Sequence, residues 1–401
     1  MRVLIANKFF FQNGGSEVVM FQERSYLQRN GVDVVDFSMA DARNWDSPYS
    51  SLFVKPQSYE ESNQSALRRT MTAVKLIHSG EAVRKIGELI DQERPDILHC
   101  HNIYHQLTPS IIGAAKSRGV RVVLTLHDYK TVCPVYTRLR DGKVCSECLE
   151  GEFTNVLKHR CAEGSLAKSA LLYAEAAIQR YMGNYESVDM LLAPSRFMAE
   201  SVTKARFRHD QVQVLYNGID TRSIYPSRVD GNYILYAGRL SREKGVQTIL
   251  EAHSKMAHGI ELVVAGTGPL EEELRKRYRR ARFLGFLSGD ALHKTITEAS
   301  VVVVPSEWYE NCPMSVLEAM AAAKTVIASD IGGIPELVLD RETGLLFAPG
   351  NHEQLRQCLE EIMGNPALRI QLGTAGRARA HEHFSADEHN KKLMQIYAGL
   401  L

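Results

Sequence analysis

The chain has 401 residues, a hydrophobic share of 44% and a formal net charge of +1. This length suits two domains of ordinary size, each with a buried core of its own. A net charge so close to zero gives no overall field for a polyanion, which argues against nucleic acid as a partner.

The N-terminal sequence MRVLIANKFF contains only a short apolar run before Asn7 and Lys8. Such a run is typical of a buried strand rather than of a signal peptide. Nowhere does the sequence approach the roughly 18 consecutive apolar residues of a membrane-spanning helix. We therefore expect a cytoplasmic protein, and any contact with the inner membrane is expected to be peripheral.

Short β-branched runs alternate with longer helical patterns, which favours an α/β fold with parallel sheets covered on both faces. The first series of predicted strands is 2–6, 32–37, 97–100, 120–126, 190–193 and 212–215. The second series is 234–237, 261–265, 301–304, 325–328 and 345–347. Each series opens with a strand, a glycine-containing loop and a helix, as a Rossmann-like unit does. We therefore predict an N-terminal domain at 1–224, a linker at 225–232 and a C-terminal domain at 233–385, with one shared cleft.

Two charged stretches have less specific interpretations. A helical pattern over 66–91 carries several lysines and arginines, which suits either a solvated face or a surface that docks on a membrane. The basic run 275–282 is interpreted as the polar face of a helix, balanced by the acidic residues 271–273.

The most informative segment is PSEWYENCPMSVLEAMA, at 305–321, directly after the predicted strand 301–304. Pro313 suits the first turn of a helix, where its missing N–H would have no partner anyway. Glu310 then lies on the loop before this helix and Glu318 on its second turn, both near the positive end of the helix dipole. Glutamates near helix starts are also common capping residues. Their position after an apolar strand favours a binding site.

Further landmarks follow in a fixed order along the chain. They are GGSE at 14–17, HD at 127–128, PS at 194–195, NGID at 217–220, GRLSREKG at 238–245, AGTGP at 265–269 and SDIGGIPE at 329–336. With the two glutamates of the ENCP…E pattern, this order resembles the family 4 retaining glycosyltransferases of the GT-B fold, of the type that builds bacterial surface polysaccharide or lipopolysaccharide.

The resemblance implies a GT-B architecture of two facing Rossmann-like domains, with a C-terminal helix at 386–401 that packs back on the N-terminal domain. It also implies transfer of a sugar from a UDP- or GDP-sugar donor to a glycan or lipid-linked glycan acceptor. No cofactor is expected to be required for catalysis.

Roles come with the resemblance at the matching positions. Arg239 and Lys244 would hold the donor diphosphate and stabilise it as it leaves, which suits a guanidinium and an ammonium beside a helix N-terminus. Glu310 would contact the transferred sugar, and Glu318 the ribose hydroxyls. The glycines at 332–333 would approach the sugar. The implied catalytic set is His127, Arg239, Lys244 and Glu310, and the implied donor-binding set is Gly15, Gly238, Arg239, Lys244, Glu310, Asn311, Cys312, Pro313, Met314, Ser315 and Glu318.

Other polar residues follow strands of the N-terminal domain. His127 ends the strand 120–126 and is expected to face the cleft, where Asp128 would orient it or bind acceptor. In the motif HCHNIYHQ, Asn102 and His105 are candidate acceptor contacts, as is Gly14. We do not expect the histidines of this motif to bind metal, because no acidic or cysteine partner lies near them in the sequence.

Four of the seven cysteines lie in a Gly- and charge-rich insertion at 129–163. Cys133, Cys145, Cys148 and Cys161 match the ligand count of a structural zinc site. A metal would also stabilise a loop that has little apolar content. Free thiols, or disulfides formed on oxidation, are the alternatives.

Other functions remain open at this point. A nucleotide-sugar-binding protein without turnover would share the donor residues, and a GT-B epimerase would act on the donor without an acceptor. A phosphorylase would need a lysine for pyridoxal phosphate, for which no motif is present. A dinucleotide dehydrogenase is disfavoured, because the G-x-G at 266–268 lacks the third glycine and the following acid.

Overall fold

The computed structural model describes residues 1–56, 74–227, 231–257 and 259–401. Part of the helix predicted over 66–91, and part of the linker predicted at 225–232, lie outside these residues. The strands are β1 Arg2–Ala6, β2 Asp33–Phe37, β3 Ile97–Cys100, β4 Arg121–Thr125, β5 Leu139–Arg140, β6 Lys143–Val144, β7 Met190–Ala193, β8 Val212–Val214, β9 Tyr233–Ala237, β10 Glu261–Ala265, β11 Ala281–Gly285, β12 Val301–Val304, β13 Thr325–Ser329 and β14 Gly344–Phe347.

The α-helices follow the strands along most of the chain. They are α1 Gly15–Arg29, α2 Gly80–Glu93, α3 Ser110–Lys116, α4 Asn155–Lys158, α5 Leu166–Met182, α6 Arg196–Ala205, α7 Val246–Ser254, α8 Glu271–Arg277, α9 Gly289–Glu298, α10 Met314–Ala321, α11 Ile334–Leu337, α12 His352–Gly364, α13 Pro366–His383 and α14 Ala386–Leu400.

Two six-stranded sheets organise the chain, in the orders β2-β1-β3-β4-β7-β8 and β11-β10-β9-β12-β13-β14. Every neighbouring pair in both sheets is parallel. Strands such as β12, whose sequence is VVVV and whose residues are all buried, carry apolar side chains on both faces because helices cover both faces. Each sheet therefore lies between two apolar cores. The predicted α/β class with two Rossmann-like sheets is confirmed.

One strand of the second sheet, β11, is absent from the sequence prediction. The basic run at 275–282, predicted as the face of a helix, is divided between the end of α8 at Arg277 and the start of β11 at Ala281. This strand lies at the edge of its sheet, is only partly buried and carries the exposed Arg282. It therefore lacks the continuous apolar run that marks the central strands. The small hairpin β5–β6, inside the cysteine-containing insertion, is likewise unpredicted.

The last helix returns to the first sheet. Leu393, Ile396 and Tyr397 of α14 belong to the same buried cluster as Val3 and Ile5 of β1. The chain thus crosses between the two sheets twice, and the crossing segments pair with each other: Ile219 N donates to Phe384 O at 2.8 Å, and Ala386 N donates to Ile219 O at 2.8 Å. These crossings fix the carboxyl ends of the two sets of strands toward each other.

None of the helices in the described part of the chain is both long enough and apolar enough to cross a membrane.

Candidate functional site

A cleft with a volume of about 680 Å³ lies between the carboxyl edges of the two sheets. Its lining contains every donor residue proposed above, together with His127 and three of the four acceptor-side candidates. Those residues are Gly14, Gly15, Asn102, His127, Asp128, Gly238, Arg239, Lys244, Glu310, Asn311, Cys312, Pro313, Met314, Ser315 and Glu318. His105, the fourth acceptor-side candidate, is a partly buried residue that is not part of this lining.

An ion pair between the partly buried Lys244 and the buried Glu310 lies on the C-terminal side of the cleft. Lys244 Nζ is 2.7 Å from Glu310 Oε1, and Ser306 Oγ donates to the same oxygen at 2.7 Å. The ammonium also lies 4.7 Å from the centre of the Trp308 ring, within the range of a cation–π contact. Burial alone would raise the pKa of Glu310, but the charge of Lys244 and the hydrogen bonds from Lys244 and Ser306 outweigh it and lower the pKa. Glu310 is therefore a buried carboxylate whose ionised form is stabilised by Lys244.

Arg239, unlike Lys244, has no ion-pair partner within the described part of the chain. Its side chain is exposed in the cleft, and among the described residues its guanidinium makes no ion pair or hydrogen bond. The loop that carries both cations ends at Gly245, which begins α7 with a φ of +65°. A Cβ at Gly245 would lie 1.7 Å from Pro305 O, so only glycine lets this loop pack against the loop of Glu310. Two cations thus lie on one side of the cleft. Lys244 is paired with Glu310, and Arg239 has no ion-pair partner among the described residues.

Glu318 lies on the second turn of α10, partly buried in the cleft lining. Burial raises the pKa of its carboxyl group to about 7, and no neighbouring cation offsets this effect. Perturbed carboxyl groups in a cleft are frequent at functional sites, because stability alone gives no reason to desolvate an acid. Two glutamates of one short motif therefore have opposite electrostatic environments.

The glycines at 332–333, expected at the sugar, lie against the loop of Glu310 and are not part of the cleft lining. A Cβ at Gly333 would lie 1.9 Å from Asn311 O, and Gly333 N donates to Glu310 O at 2.7 Å. The glycines are required where two backbone segments meet, and they support the cleft loop from behind.

On the N-terminal side, His127 is hydrogen-bonded to another histidine rather than to Asp128. His127 Nε2 is 2.9 Å from His101 Nδ1. Burial lowers the pKa of His127 to about 4, although the charge of Glu23 opposes that shift. His127 is therefore a neutral imidazole at the edge of the cleft. Asn311 Nδ2 donates to the backbone oxygen of His127 at 3.0 Å, which ties the two domains together at this point.

The expectation that no acid accompanies these histidines is wrong. Glu23 comes from α1, and its Oε2 lies 3.4 Å from His99 Nδ1 and 3.5 Å from His101 Nε2. Within the described ranges, these three side chains are the group of possible metal ligands whose atoms lie within 4.8 Å of one another. Sequence separation concealed the acid, because α1 and β3 meet only in the folded sheet.

We interpret this group as close charge contacts inside a wider hydrogen-bond network rather than as a metal site. Glu23 Oε2 and His101 Nε2 face each other but make no hydrogen bond with the described residues. His99 Nδ1 is already engaged by Tyr397 Oη at 2.7 Å, and the other oxygen of Glu23 is 2.9 Å from His389 Nε2. Burial tends to raise the pKa of Glu23, but the neighbouring His99 and His389 lower it overall. An ionised Glu23 favours a proton on His101 Nε2, which faces it. His101 Nδ1 then accepts from His127 Nε2, so the carboxylate selects the tautomer of His127.

Asp128 and Asn102 are committed to contacts within the N-terminal domain. Tyr104 Oη and the backbone N–H of Lys130 donate to the Asp128 carboxylate. Burial raises the pKa of Asp128. Asn102 Nδ2 donates to Ser16 Oγ at 2.9 Å, which ties the loop after β3 to the first turn of α1. Both side chains therefore shape the N-terminal side of the cleft.

Sequence reasoning missed three residues of this region. Trp308 lies under the ammonium of Lys244, and Phe286 lines the cleft with 71% of its surface exposed. Glu336 accepts hydrogen bonds from Arg196 N, Phe197 N and Tyr216 Oη, each at 2.8 Å, and so caps α6 of the opposite domain. Phe286 follows β11, a strand that the sequence did not predict, and nothing in the sequence linked Glu336 to α6.

Comparisons with known proteins agree with this geometry. Residues 13–223 match the family described as Glycosyltransferase Family 4, and residues 219–379 match the one described as Glycosyl transferases group 1. The chain is 31% identical over 246 residues to alpha-maltose-1-phosphate synthase of Mycolicibacterium smegmatis, a match that covers 53% of this chain and 63% of that protein. The chain thus spans less than two thirds of the length of that relative.

Two solved structures resemble the whole chain. Anabaena Alr3699/HepE in complex with UDP has a TM-score of 0.71 at 16% identity, with 100% of both chains covered. The lipopolysaccharide outer core galactosyltransferase WaaB has a TM-score of 0.62 at 18% identity, also with 100% of both chains covered. At these identities the likeness shows the GT-B fold. Because the family match over 13–223 covers more than half of the sequence, the chain belongs to glycosyltransferase family 4.

Proposed function

We propose that this chain is a retaining glycosyltransferase that moves a sugar from a UDP- or GDP-sugar to a glycan or lipid-linked glycan acceptor in surface polysaccharide synthesis. One observation carries the proposal. The cleft holds the exposed guanidinium of Arg239, which pairs with none of the described residues, on the same loop as Lys244, the partner of Glu310. An exposed guanidinium that makes no ion pair or hydrogen bond with the described residues is available to an anionic ligand, and a diphosphate is such a ligand.

The two cations suit the chemistry of the departing group. When the bond between the sugar and the diphosphate breaks, negative charge accumulates on the phosphate oxygens. Arg239 and Lys244 lie in a loop that leads into α7, whose N-terminus adds a partial positive charge. Fixed charges of this kind stabilise the leaving group more than they stabilise the bound donor, which is the condition for catalysis.

Two further residues of the cleft lining suit the nucleoside half of the donor. The ionised form of Glu318 accepts hydrogen bonds from both ribose hydroxyls, and the exposed ring of Phe286 offers a face for the base. Uridine is the first nucleoside to test, because crystals of the similar HepE contain UDP and, in a further structure, UDP-glucose.

The sugar and the acceptor meet between Glu310 and His127. Glu310, kept ionised by Lys244, would accept hydrogen bonds from sugar hydroxyls. His127, kept neutral and protonated on Nε2 by its network, would present Nδ1 as an acceptor for a hydroxyl. The glycan class of the acceptor is supported by the likeness to WaaB, a lipopolysaccharide galactosyltransferase. A peripheral membrane contact would follow if the acceptor is lipid-linked.

The test is binding followed by turnover. Titration calorimetry with UDP, GDP and ADP identifies the nucleotide, and release of that nucleotide from its sugar forms is then measured with and without glycan acceptors. Lys244→Ala is expected to lower nucleotide release at least 100-fold, because one oxyanion-stabilising donor is typically worth that much. The matched control is Lys255→Ala, an exposed lysine of the same domain that pairs with Glu353; it should behave as the unchanged protein does.

Three outcomes would overturn the proposal. Folded protein that binds none of the nucleotides would remove the donor site. Binding with no transfer to any acceptor would point to the nucleotide-sugar-binding alternative. Conversion of the donor without an acceptor would point to the epimerase.

A further inference from the structure

The cysteine-containing insertion converges on one small cavity. Cys133 follows β4, Cys145 follows the hairpin β5–β6, Cys148 lies in the next turn and Cys161 follows α4. All four line a cavity of about 20 Å³, and none of them forms a disulfide. The other cysteines, at 100, 312 and 358, lie elsewhere in the fold. The insertion therefore brings four cysteine side chains, from different turns, to the wall of one cavity.

The remaining lining of this cavity excludes water as its natural occupant. Most of it is apolar, from Val132, Pro134, Val135, Leu139, Leu149 and Val156. The other polar members are Arg138 and Ser146, which are hydrogen-bonded to each other at 2.8 Å. A buried water needs two to four polar partners, which this surface does not supply. A thiophilic cation needs only the four sulfurs.

We propose that Cys133, Cys145, Cys148 and Cys161 bind a structural zinc ion. A closed site with Zn–S bonds of about 2.3 Å places the sulfurs roughly 3.8 Å apart. Within the part of the chain that the structure describes, no three cysteine sulfurs lie within 4.8 Å of one another. Zinc binding must therefore draw the turns inward and shorten at least one sulfur–sulfur distance by roughly 1 Å. The segments that must move are short turns containing several residues of positive φ, such as Arg138 and Asp141, rather than helices or long strands.

The zinc site would support the loop that carries Glu310, and it would do so through Arg138. Cys145 N donates to Arg138 O at 2.7 Å, so this arginine belongs to the segment that the metal would order. Its guanidinium is buried and lies 4.9 Å from the ring centre of Tyr129, 5.4 Å from that of Phe197 and 4.4 Å from that of Tyr309. Tyr309 directly precedes Glu310. The metal would thus hold a cation that packs the insertion against the opposite domain beside the site.

Metal content of the full chain tests the site directly. Protein purified without an affinity tag or chelator is expected to contain about one zinc per chain by mass spectrometry. Cys145→Ser and Cys148→Ser should each lower that content at least fivefold, whereas Cys358→Ser, at a partly buried cysteine on α12, should leave it unchanged. These measurements do not involve sugar transfer, so they stand or fall independently of the proposed reaction.

A second measurement avoids the chance that a serine variant fails to fold. After removal of metal from the unsubstituted chain, one equivalent of Co²⁺ is expected to produce the intense thiolate-to-cobalt absorption and the tetrahedral visible bands, and Zn²⁺ should abolish both. Protein that contains no zinc, takes up no cobalt and has the same melting temperature with and without chelator would overturn the proposal.

Discussion

Replacing Glu318 by glutamine is expected to make the protein more stable in alkaline solution while it weakens nucleotide binding. Burial raises the pKa of this carboxyl group to about 7, from an ordinary value of 4.5. Folding therefore favours the protonated form. The associated stability is complete below pH 4.5 and is lost as the pH rises through about 7. Glutamine is never charged and escapes this loss.

The magnitude follows from the pKa. At about 1.4 kcal/mol for each tenfold change in the proton equilibrium, the full loss above pH 8 is about 3 kcal/mol, of which about 1.4 kcal/mol is already present at pH 5.5. Glu318 retains some solvent contact, which reduces the expected stabilisation of Glu318→Gln at pH 8.5 to about 2 kcal/mol. Urea denaturation at both pH values measures it. Glu273→Gln, at an exposed position of α8, serves as the control.

Nucleotide binding provides the second readout. If the ionised Glu318 accepts hydrogen bonds from the ribose, a saturating nucleoside diphosphate should stabilise the unsubstituted protein more than Glu318→Gln at pH 8.5. The variant would then be the more stable protein when empty and the weaker binder. Equal stability of the two empty proteins at pH 8.5 would refute the desolvation of this carboxylate, and equal nucleotide affinity would refute its role at the ribose.

Three further substitutions test separate parts of the site. Phe286→Ala should weaken nucleotide binding by about 1–3 kcal/mol, as the loss of a base-stacking ring does, without a change in the melting temperature; unchanged affinity in calorimetry would exclude stacking. Glu336→Gln should lower the free energy of unfolding by about 1–2 kcal/mol, because it removes a charge at the N-terminus of α6. A free energy of unfolding that calorimetry finds equal in the variant and the unsubstituted protein would contradict this. Glu23→Gln should lower kcat about tenfold with little change in the donor KM and should alter the pH profile, because it removes the group that selects the His127 tautomer; a change confined to melting temperature would leave Glu23 a purely structural residue.

The sequence was most informative about features that depend only on residues close together in the chain. Central strands such as β12 are predicted by a continuous run of β-branched residues, because both of their faces are buried. The motif at 305–321 places Glu310 and Glu318 by their spacing around the helix start, and both line the cleft. Edge strand β11 escaped prediction because partial burial leaves it no apolar pattern.

The tertiary structure alone decided which residues are partners and what their charges are. Glu23 and His101 are far apart in the sequence, and only the packing of α1 on β3 brings the acid to the histidines. The sequence gives no reason to expect different pKa values for Glu310 and Glu318, the two glutamates of one motif. Lys244 makes Glu310 more acidic, whereas burial without a cation makes Glu318 less acidic. A sequence thus determines the order of strands, helices and reactive side chains, but the pKa of each side chain depends on groups that reach it from other elements through the fold.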